Sequence, residues 1–551
     1  MSSWNNLKNS IFLNKKNIIV FPLLIAFFLY YPFIKHGWWT GDDTAILHAT
    51  IKHGGLSFFY KPEIWRTISA TNLTPWVNLS YAIDWNLFGF NPQGFFIHHL
   101  LSFLLTALCC GFLMMEITTT LPAIGVLLLF ITSLPALALI EHLWLRHYME
   151  GLAFAALAFF FFLKGISSKS LIKALIGSLF YLLSVTAKEI YVPLIAFIIF
   201  YPDSFSRRNN ILKMPFLFIS LLYIGWRIYM LGFSNIFEAD LAVTSSLIPQ
   251  MRDLPILIAK GLFLQNIFFF CFFIVLAVSF FLFVKKKDGY LLLFFFVCLT
   301  SILVPIIPVA GQLKNFTTFD LSRLRILTVI TICLYFFILQ AFYNLSKKAT
   351  ILLLISGLAI NLWNIYGADT LNKGLKMHQN HKTMGQFLLN AGPQKVFVFS
   401  YSVPWFFTEL LEVSIKTGKK KPDQCPLFCT DACLCQDRLK NRKVEFYTFN
   451  GHNMVKTKDW NCNINTKVNI SAIFRYNKGL LTWKFGPFEK GQYCALPMEN
   501  GLPTGIYCLP RRGKIKVYLK KDFQVILRYK DPSGWLAYSD IIEIKVNGDT
   551  D

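Results

Sequence analysis

Long apolar runs recur along the first two-thirds of this chain, and they constrain its fold more than any other feature. Each run is about 18–22 residues long, enough for an α-helix to cross the ~30 Å hydrocarbon core of a bilayer. Across all 551 residues, 55% are hydrophobic, which is more apolar surface than a soluble protein of this length buries. The sequence therefore predicts a polytopic α-helical membrane protein.

The apolar runs predict about eleven transmembrane helices. No small-residue cleavage site follows the first run, so we interpret it as an uncleaved span and not a signal peptide. The predicted spans lie at 17–34, 96–114, 119–138, 149–164, 171–187, 190–201, 214–231, 262–284, 289–309, 325–344 and 349–367.

Basic residues orient these spans. Four of the five connections predicted to be cytoplasmic contain clustered Lys or Arg, as the positive-inside rule requires. The N-terminus is then cytoplasmic, and an odd number of spans places the C-terminal domain outside. We expect a multi-pass protein of the bacterial inner membrane rather than of the ER. The formal charge of +24 sits mainly in short turns between spans, so it favours contact with membrane lipids and no nucleic-acid partner.

The pattern divides the chain into two domains. Residues 1–368 form the transmembrane domain, with a first long extracytoplasmic loop at 36–95. Residues 369–551 begin with a strand, a turn and a helix at 395–416. Alternating apolar and polar residues separated by Gly, Pro, Asn and Asp follow from 443. This pattern predicts an extracytoplasmic, strand-rich α+β domain that ends in a small antiparallel sandwich.

Seven of the twelve cysteines lie in this C-terminal domain. An exported domain holds disulfides, and the spacing lacks the paired C-x2-C and nearby His of a zinc site. We therefore predict disulfides of unassigned connectivity, with one thiol left over. The candidates are Cys425, Cys429, Cys433, Cys435, Cys462, Cys494 and Cys508.

An acidic pair, Asp42 and Asp43, follows the first span in "GWWTGDDTAILHATIKHGG". One interpretation is that the pair caps a short helix, since Asp favours helix N-termini. The other is chemical, because low dielectric near a membrane raises a carboxylate pKa and makes a better base. Two adjacent carboxylates also suit a divalent cation such as Mg²⁺ or Mn²⁺, although the sequence compels no cofactor. Asp42 is the predicted base, while capping and chemistry stay open for Asp43.

Further ionisable residues fall on the same predicted outer face. Such groups are costly among apolar spans, so they usually pair or serve a site. Simple anchoring of helix ends, or a snorkelling Lys188–Glu189 pair, is the alternative. The candidates are His53, Arg66, His98, Glu141, Arg146, Lys188, Glu189, Arg227, Arg323 and Arg325.

Several short motifs resemble the GT-C superfamily of membrane glycosyltransferases. The acidic pair after the first span resembles a motif found throughout that superfamily. The loop with Arg66, Pro75 and Gly89, the segment "EHLWLRH" and the segment "SVTAKEIYVP" resemble the branch of protein O-mannosyltransferases and transmembrane-TPR mannosyltransferases. The chain departs from that branch in "HLLSFLL" after His98, in "SRLRILTV" before a late span, and in having no TPR repeats.

The resemblance implies transfer of a sugar from a polyprenyl-phosphate donor to a glycan, lipid or protein acceptor at the extracytoplasmic face. Asp42 would then act as general base and Asp43 would orient the acceptor or a metal. Cations would bind the donor phosphate, and His53, His98, Glu141 and Glu189 would line the site. The phosphate candidates are Arg146, Lys188 and Arg323, with Arg66 and Arg227 behind them.

Two other classes of membrane protein stay open from the sequence. A lipid-linked polysaccharide polymerase or ligase uses a similar donor on the same face. A transporter or flippase would place acids deep within spans and show an internal repeat. The acids here lie in loops, and the two halves show no repeat.

Overall fold

The computed structural model describes residues 2–69, 72–201, 207–232, 247–263, 266–285, 299, 303, 321–399, 405–457, 460–477, 479–516 and 522–546. These residues form two compact units, 1–379 and 380–551, the first helical and the second rich in strands. The predicted fold class, an α-helical membrane part followed by a strand-rich domain, is confirmed. The predicted domain boundary at 368/369 falls inside the first unit.

Helices fill the described part of the first unit. Their bounds are α1 Ser2–His36, α2 Asp43–His53, α3 Pro62–Ile68, α4 Pro75–Phe88, α5 Pro92–Ile117, α6 Thr120–Ile131, α7 Leu134–Glu141, α8 Arg146–Ser168, α9 Leu171–Ala187, α10 Leu194–Phe200, α11 Arg207–Leu231, α12 Leu247–Leu262, α13 Asn266–Lys285, α14 Thr328–Leu345, α15 Lys347–Leu362 and α16 Thr370–Asn390.

Six helices of the described residues are long and apolar enough to cross a membrane, and the bent pair α6–α7 makes a seventh. Three shorter apolar helices, Leu171–Ala187, Glu189–Phe200 and Cys271–Leu282, coincide with three more predicted spans. The predicted span 289–309 lies outside the described residues except for 299 and 303. The eleven sequence-based spans therefore correspond to seven crossing candidates, three short helices and one segment that is almost entirely outside the described residues.

Large apolar side chains stand exposed along several of these helices. Phe21 and Phe28 on α1, Ile172 on α9 and Leu221 on α11 are each at least 60% exposed. A soluble protein rarely presents such continuous apolar surface to water, whereas lipid accepts it. These helices have the surface of a membrane protein.

The bend of 52° between α6 and α7 has a local cause. Pro135 stands in the first turn of α7 and cannot continue a helix from α6. Ser133 accepts a hydrogen bond from the Ala136 amide as the N-cap of α7. Asn361 of α15 donates to the Leu129 carbonyl and so satisfies the freed end of α6. Polar residues thereby stabilise a broken helix inside an apolar unit.

The described residues of the second unit form two further α-helices and three sheets. The helices are α17 Trp405–Lys416 and α18 Ala432–Leu439. The strands are β1 Lys395–Val398, β2 Leu427–Cys429, β3 Glu445–Phe449, β4 Met454–Thr457, β5 Ser471–Asn477, β6 Leu480–Gly486, β7 Gln492–Glu499, β8 Leu502–Pro503, β9 Tyr507–Leu509, β10 Arg512–Lys516, β11 Phe523–Lys530, β12 Leu536–Tyr538 and β13 Ile542–Ile544.

The strands from 471 onward pair antiparallel in two sheets, β10-β6-β5 and β12-β11-β7-β8, with β9 and β13 added to the second. Trp483 and Phe485 of the first sheet share a buried apolar cluster with Tyr493, Leu527 and Tyr529 of the second. Two sheets that share one core form a sandwich, as the alternating pattern predicted. The earlier sheet β2-β1-β3-β4 is different, because β1 runs parallel to both β2 and β3.

Candidate active site

A tight turn after α1 carries the acidic pair. The Asp43 amide donates to the Thr40 carbonyl at 3.1 Å, which closes a β-turn over Gly41 and Asp42. Gly41 has φ of +50°, a left-handed conformation that glycine adopts without steric cost, and Asp42 has φ −76° and ψ −5°. The sequence Thr-Gly-Asp-Asp therefore presents Asp42 at the tip of a defined turn.

Asp43 is fully buried and accepts hydrogen bonds from three donors. The Thr40 amide donates to Oδ2 at 2.7 Å, and Oδ1 accepts from the Tyr81 hydroxyl and the Trp144 amide, both at 2.8 Å. These donors lie on the turn, on α4 and just before α8. Burial raises the Asp43 pKa, the three donors lower it, and the charge of Asp42 raises it. The net result is a pKa of about 7. Asp43 thus fastens the turn to two other segments.

Asp42 points away from that buried anchor and is exposed. It stands at the N-cap position of α2, yet its side chain makes no capping hydrogen bond. Partial desolvation by the surrounding protein raises its pKa, and the guanidinium of Arg325 opposes that rise. A carboxylate with a raised pKa, open to solvent and near a cation, suits proton abstraction.

Two cations lie against the ring of Tyr148. Nζ of Lys188 is 5.6 Å from the ring centroid, and the Arg325 guanidinium is 5.9 Å from it and 5.1 Å from the Trp144 ring. Arg325 Nε also donates to the Tyr148 hydroxyl at 3.3 Å, and Lys188 donates to Glu189 Oε1 at 2.7 Å. The aromatic faces attract both charges and hold them at fixed positions.

Breaks between helices bring these residues together. Trp144, Lys188 and Arg325 each stand on or next to a short 3₁₀ turn, where backbone groups leave the helical pattern. Lys188 itself is extended, with φ −158° and ψ 135°, between α9 and the next turn. The three turns are Leu143–Leu145, Glu189–Tyr191 and Ser322–Leu327.

Arg146 occupies a separate, buried polar network. It is fully buried and forms an ion pair with Asp84 through Nη1. The same nitrogen donates to the Ser80 hydroxyl at 3.0 Å, and Nη2 donates to the Phe95 carbonyl at 2.8 Å. His98 Nδ1 lies 2.5 Å from Asp84 Oδ1. The structure therefore pairs the Arg146 charge with Asp84.

Glu150 extends this network between α4, α5 and α8. Its Oε1 accepts hydrogen bonds from Ser80 at 3.1 Å and from Ser102 at 3.3 Å, and it lies 3.9 Å from His98 Nε2. The Arg146 guanidinium also lies 5.6 Å from the Tyr81 ring centroid, so the network lies directly behind the Asp43 anchor. Its geometry is that of a structural support for the turn.

Two of the predicted phosphate-binding cations, Arg66 and Arg227, form hydrogen bonds with residues of helix α11. Arg66 donates to the carbonyls of Met230 and Tyr229, both at 3.0 Å, and so caps the end of α11. Arg227 donates to the Tyr223 hydroxyl at 3.4 Å on the same helix.

The remaining predicted residues have varied surroundings. The His53 ring packs edge-on against Phe58 at 6.2 Å. Glu141 is buried at the end of α7, and Gly374 packs closely against it. A Cβ atom added at Gly374 would lie only 2.8 Å from Oε1 of Glu141. Arg323 shares the 3₁₀ turn of Arg325 and is half-buried.

Sequence reasoning placed Arg323 ahead of Arg325 and did not single out Tyr148 or Trp144. Residues two apart on a 3₁₀ turn point to different sides, and it is Arg325 whose charge lowers the Asp42 pKa. One feature of the sequence could have pointed to these two aromatic residues. Trp144 and Tyr148 flank the predicted site residue Arg146 and lie four residues apart across the start of α8.

In the second unit, six of the seven cysteines are paired. The disulfides are Cys429–Cys435, Cys433–Cys462 and Cys494–Cys508, and Cys425 is a free, half-buried thiol. Within the described ranges, no group of three or more His, Cys, Asp or Glu side chains is arranged to hold a metal ion.

The described residues form a polytopic membrane protein with an exposed carboxylate, Asp42, and two cations, Lys188 and Arg325, that lie against aromatic rings. No protein-family model matches the chain, and no curated protein matches its sequence. Among solved structures, one similar chain is an oligosaccharyltransferase from Archaeoglobus fulgidus, crystallised with zinc and sulfate. The two share 12% identity with a TM-score of 0.42, over 72% of this chain and 61% of that one. This chain thus matches less than two-thirds of that protein's length.

Proposed function

We propose that this protein is a membrane glycosyltransferase of the GT-C type. It moves a sugar from a polyprenyl-phosphate donor to an acceptor hydroxyl at the extracytoplasmic surface. The observation that carries the proposal is the exposed Asp42 on a rigid turn, with Arg325 acting on it electrostatically and Lys188 close to Arg325. The order of the motifs along the sequence supports the same class.

Asp42 serves as the general base. The acceptor O–H gives its proton to the Asp42 carboxylate while the oxygen attacks the anomeric carbon of the donor sugar. The bond between that carbon and the phosphate oxygen breaks, and the lipid phosphate leaves with the bonding electrons. Asp43 cannot share this role in the observed geometry, because all its contacts are protein donors in a buried position.

Arg325 and Lys188 stabilise the departing phosphate. Negative charge grows on the leaving oxygen in the transition state, and fixed cations stabilise it without reorganising. Stacking on Tyr148 and Trp144 pre-positions both side chains. Arg325 is half-buried and is the main candidate, while Lys188 is buried and already paired with Glu189. Arg323, on the same turn, is the next candidate in this proposal.

We propose roles for the other predicted residues from their contacts. Arg146 and His98 act through the Asp84 network as supports of the turn and its neighbours, and Arg66 acts as a helix cap. The lipid chain of the donor lies along the exposed apolar faces of the helices, which lipid already contacts. The same donor chemistry would serve a polysaccharide polymerase or ligase, which differs only in the acceptor.

The test uses membranes containing the full chain and a polyprenyl-phosphate donor with a radiolabelled sugar. Covalent appearance of label in a glycan, lipid or protein acceptor supports a transferase, and the size of the product separates single transfer from polymerisation. Uptake of label into sealed vesicles without new covalent product contradicts the proposal and favours a transporter. Membranes lacking the protein control for endogenous transfer.

A further inference from the structure

A cavity of about 300 Å³ in the second unit lies where three parallel strands end. Val398 ends β1 and Phe399 follows it, Thr430 follows β2, and Thr448 and Phe449 end β3. In sheets with parallel strands, ligands bind in the crevice beyond the carboxyl ends of the strands. The position of this cavity is therefore that of a binding site.

Three aromatic rings line the cavity: those of Phe399, Phe449 and Trp460. The Trp460 ring is held edge-on against Phe446 at 5.3 Å, and Phe399 packs against Phe407 at 5.6 Å. An aromatic face carries negative partial charge and attracts the slightly positive hydrogens of C–H groups. The rings thus offer apolar, C–H-accepting walls whose orientation the surrounding protein fixes.

Two hydroxyls supply the polar part of the lining. Thr430 is buried and donates to the Pro503 carbonyl at 3.1 Å, which leaves its oxygen as an acceptor. Thr448 shares a hydrogen bond of 2.9 Å with Thr457 on the neighbouring strand β4. Hydroxyls among aromatic walls match a ligand with an apolar face and hydroxyl edges.

Among the residues that the structure describes, the lining contains no ionisable side chain. Helix α18 begins at the cavity, but its N-cap residue Asp431 already occupies that end by accepting from the Leu434 amide at 2.9 Å. Asp431 is itself paired with Arg528 at 3.0 Å and with the Tyr538 hydroxyl at 2.9 Å. A phosphate or carboxylate would meet this carboxylate at the helix N-terminus, so an anionic ligand is disfavoured.

We propose that this cavity binds one neutral sugar ring. A pyranose presents C–H groups on its faces and hydroxyls at its edges, and the volume lies at the lower end of ligand pockets, ~300–1,000 Å³, which suits a single ring. Assigning that sugar to the acceptor glycan rests on the proposed function. The binding itself does not depend on it.

The experiment measures binding of free D-glucose, D-galactose and D-mannose to the full chain in detergent, by ligand-observed NMR and calorimetry. Glucose 6-phosphate and adenosine are the competing probes. At least one neutral hexose should bind, and Trp460→Ala should weaken it about tenfold. Thr448→Val, which keeps the volume, should weaken it about two- to tenfold.

The matched control is Tyr507→Ala, which removes an exposed aromatic ring of the same unit outside the cavity and should leave binding unchanged. Asp42→Asn should also bind the hexose normally, which separates this proposal from the proposed catalysis. Thermal unfolding checks that each variant is folded. Failure of all three hexoses to bind, tighter binding of glucose 6-phosphate or adenosine, or hexose binding unaffected by both cavity variants would overturn the proposal.

Discussion

The hydroxyl of Tyr81 donates a hydrogen bond of 2.8 Å to Oδ1 of Asp43. This contact joins helix α4 to the turn after α1, and it separates the roles of two adjacent acids. Asp43 faces inward and is held by protein donors, whereas Asp42 faces solvent. The predictions below follow from this division.

Asp43→Asn should lower the stability of the membrane unit. An Asn amide group at Oδ2 would face the Thr40 amide, so two donors would oppose each other in a buried position. The expected cost is about 1–3 kcal/mol, read as a lower apparent midpoint of thermal unfolding in detergent. Asp42→Asn is the matched control and should leave the midpoint unchanged. Equal midpoints for both variants would contradict the anchoring role of Asp43.

Stability should also depend on pH through Asp43. Its pKa is raised to about 7 in the folded protein from 3.8, so between these values the folded state holds a proton that the unfolded chain releases. The free energy of unfolding should therefore fall as the pH rises from about 4 to 7. Asp43→Asn should flatten this slope in thermal unfolding measured across the window. An unchanged slope would show that other groups cause it.

Gly41→Ala should impair activity more than stability. The left-handed φ of +50° costs a side chain roughly 1–2 kcal/mol, and the new Cβ would lie 3.2 Å from Trp144 Nε1. Relief of this close contact would move Asp42 and lower turnover about tenfold or more. Gly418→Ala, with φ of +71° and open space around it, is the control for strain alone. Similar activity in the two variants would argue against a precisely placed turn.

Arg325→Gln should shift the pH profile of transfer. Arg325 lowers the Asp42 pKa against the effect of desolvation, so its removal raises that pKa further. A base must be deprotonated, so the acid limb of the transfer profile should move to higher pH. Arg323→Gln, on the same turn, should leave the acid limb in place, because Arg323 is not among the charges that set the Asp42 pKa. A shift in the Arg323 variant alone would reverse the assignment.

Much of the architecture follows from simple patterns in the sequence. The apolar runs predicted where the helices lie, because span length and hydropathy depend on the bilayer and on local residues only. The alternation of apolar and polar residues after 443 predicted the antiparallel sheets, because this pattern also depends only on local residues. The bend at Ser133 and Pro135 was not predicted, although its cause is local, and the contact of Asn361 that satisfies the end of α6 comes from a distant part of the sequence. The parallel pairing of β1 with β2 and β3 likewise joins segments far apart in sequence.

The sequence predicted which ionisable residues belong to the candidate site. It did not predict which residues they contact. The acidic pair and the basic residues were visible as ionisable groups beside apolar spans. Which acid is buried depends on Tyr81 and Trp144, which come from other helices. Which cation faces Asp42, and that Arg146 is paired with Asp84, also depends on tertiary packing. Sequence spacing contains none of these long-range contacts.

The most direct test of the account is transfer by Asp42→Asn in reconstituted vesicles with the labelled polyprenyl-phosphate donor. The variant keeps the shape of the side chain and removes its basicity, so transfer should fall by about a hundredfold or more while thermal stability and membrane insertion stay at wild-type levels. Full transfer by a folded, inserted Asp42→Asn protein would contradict the assignment of Asp42 as the base.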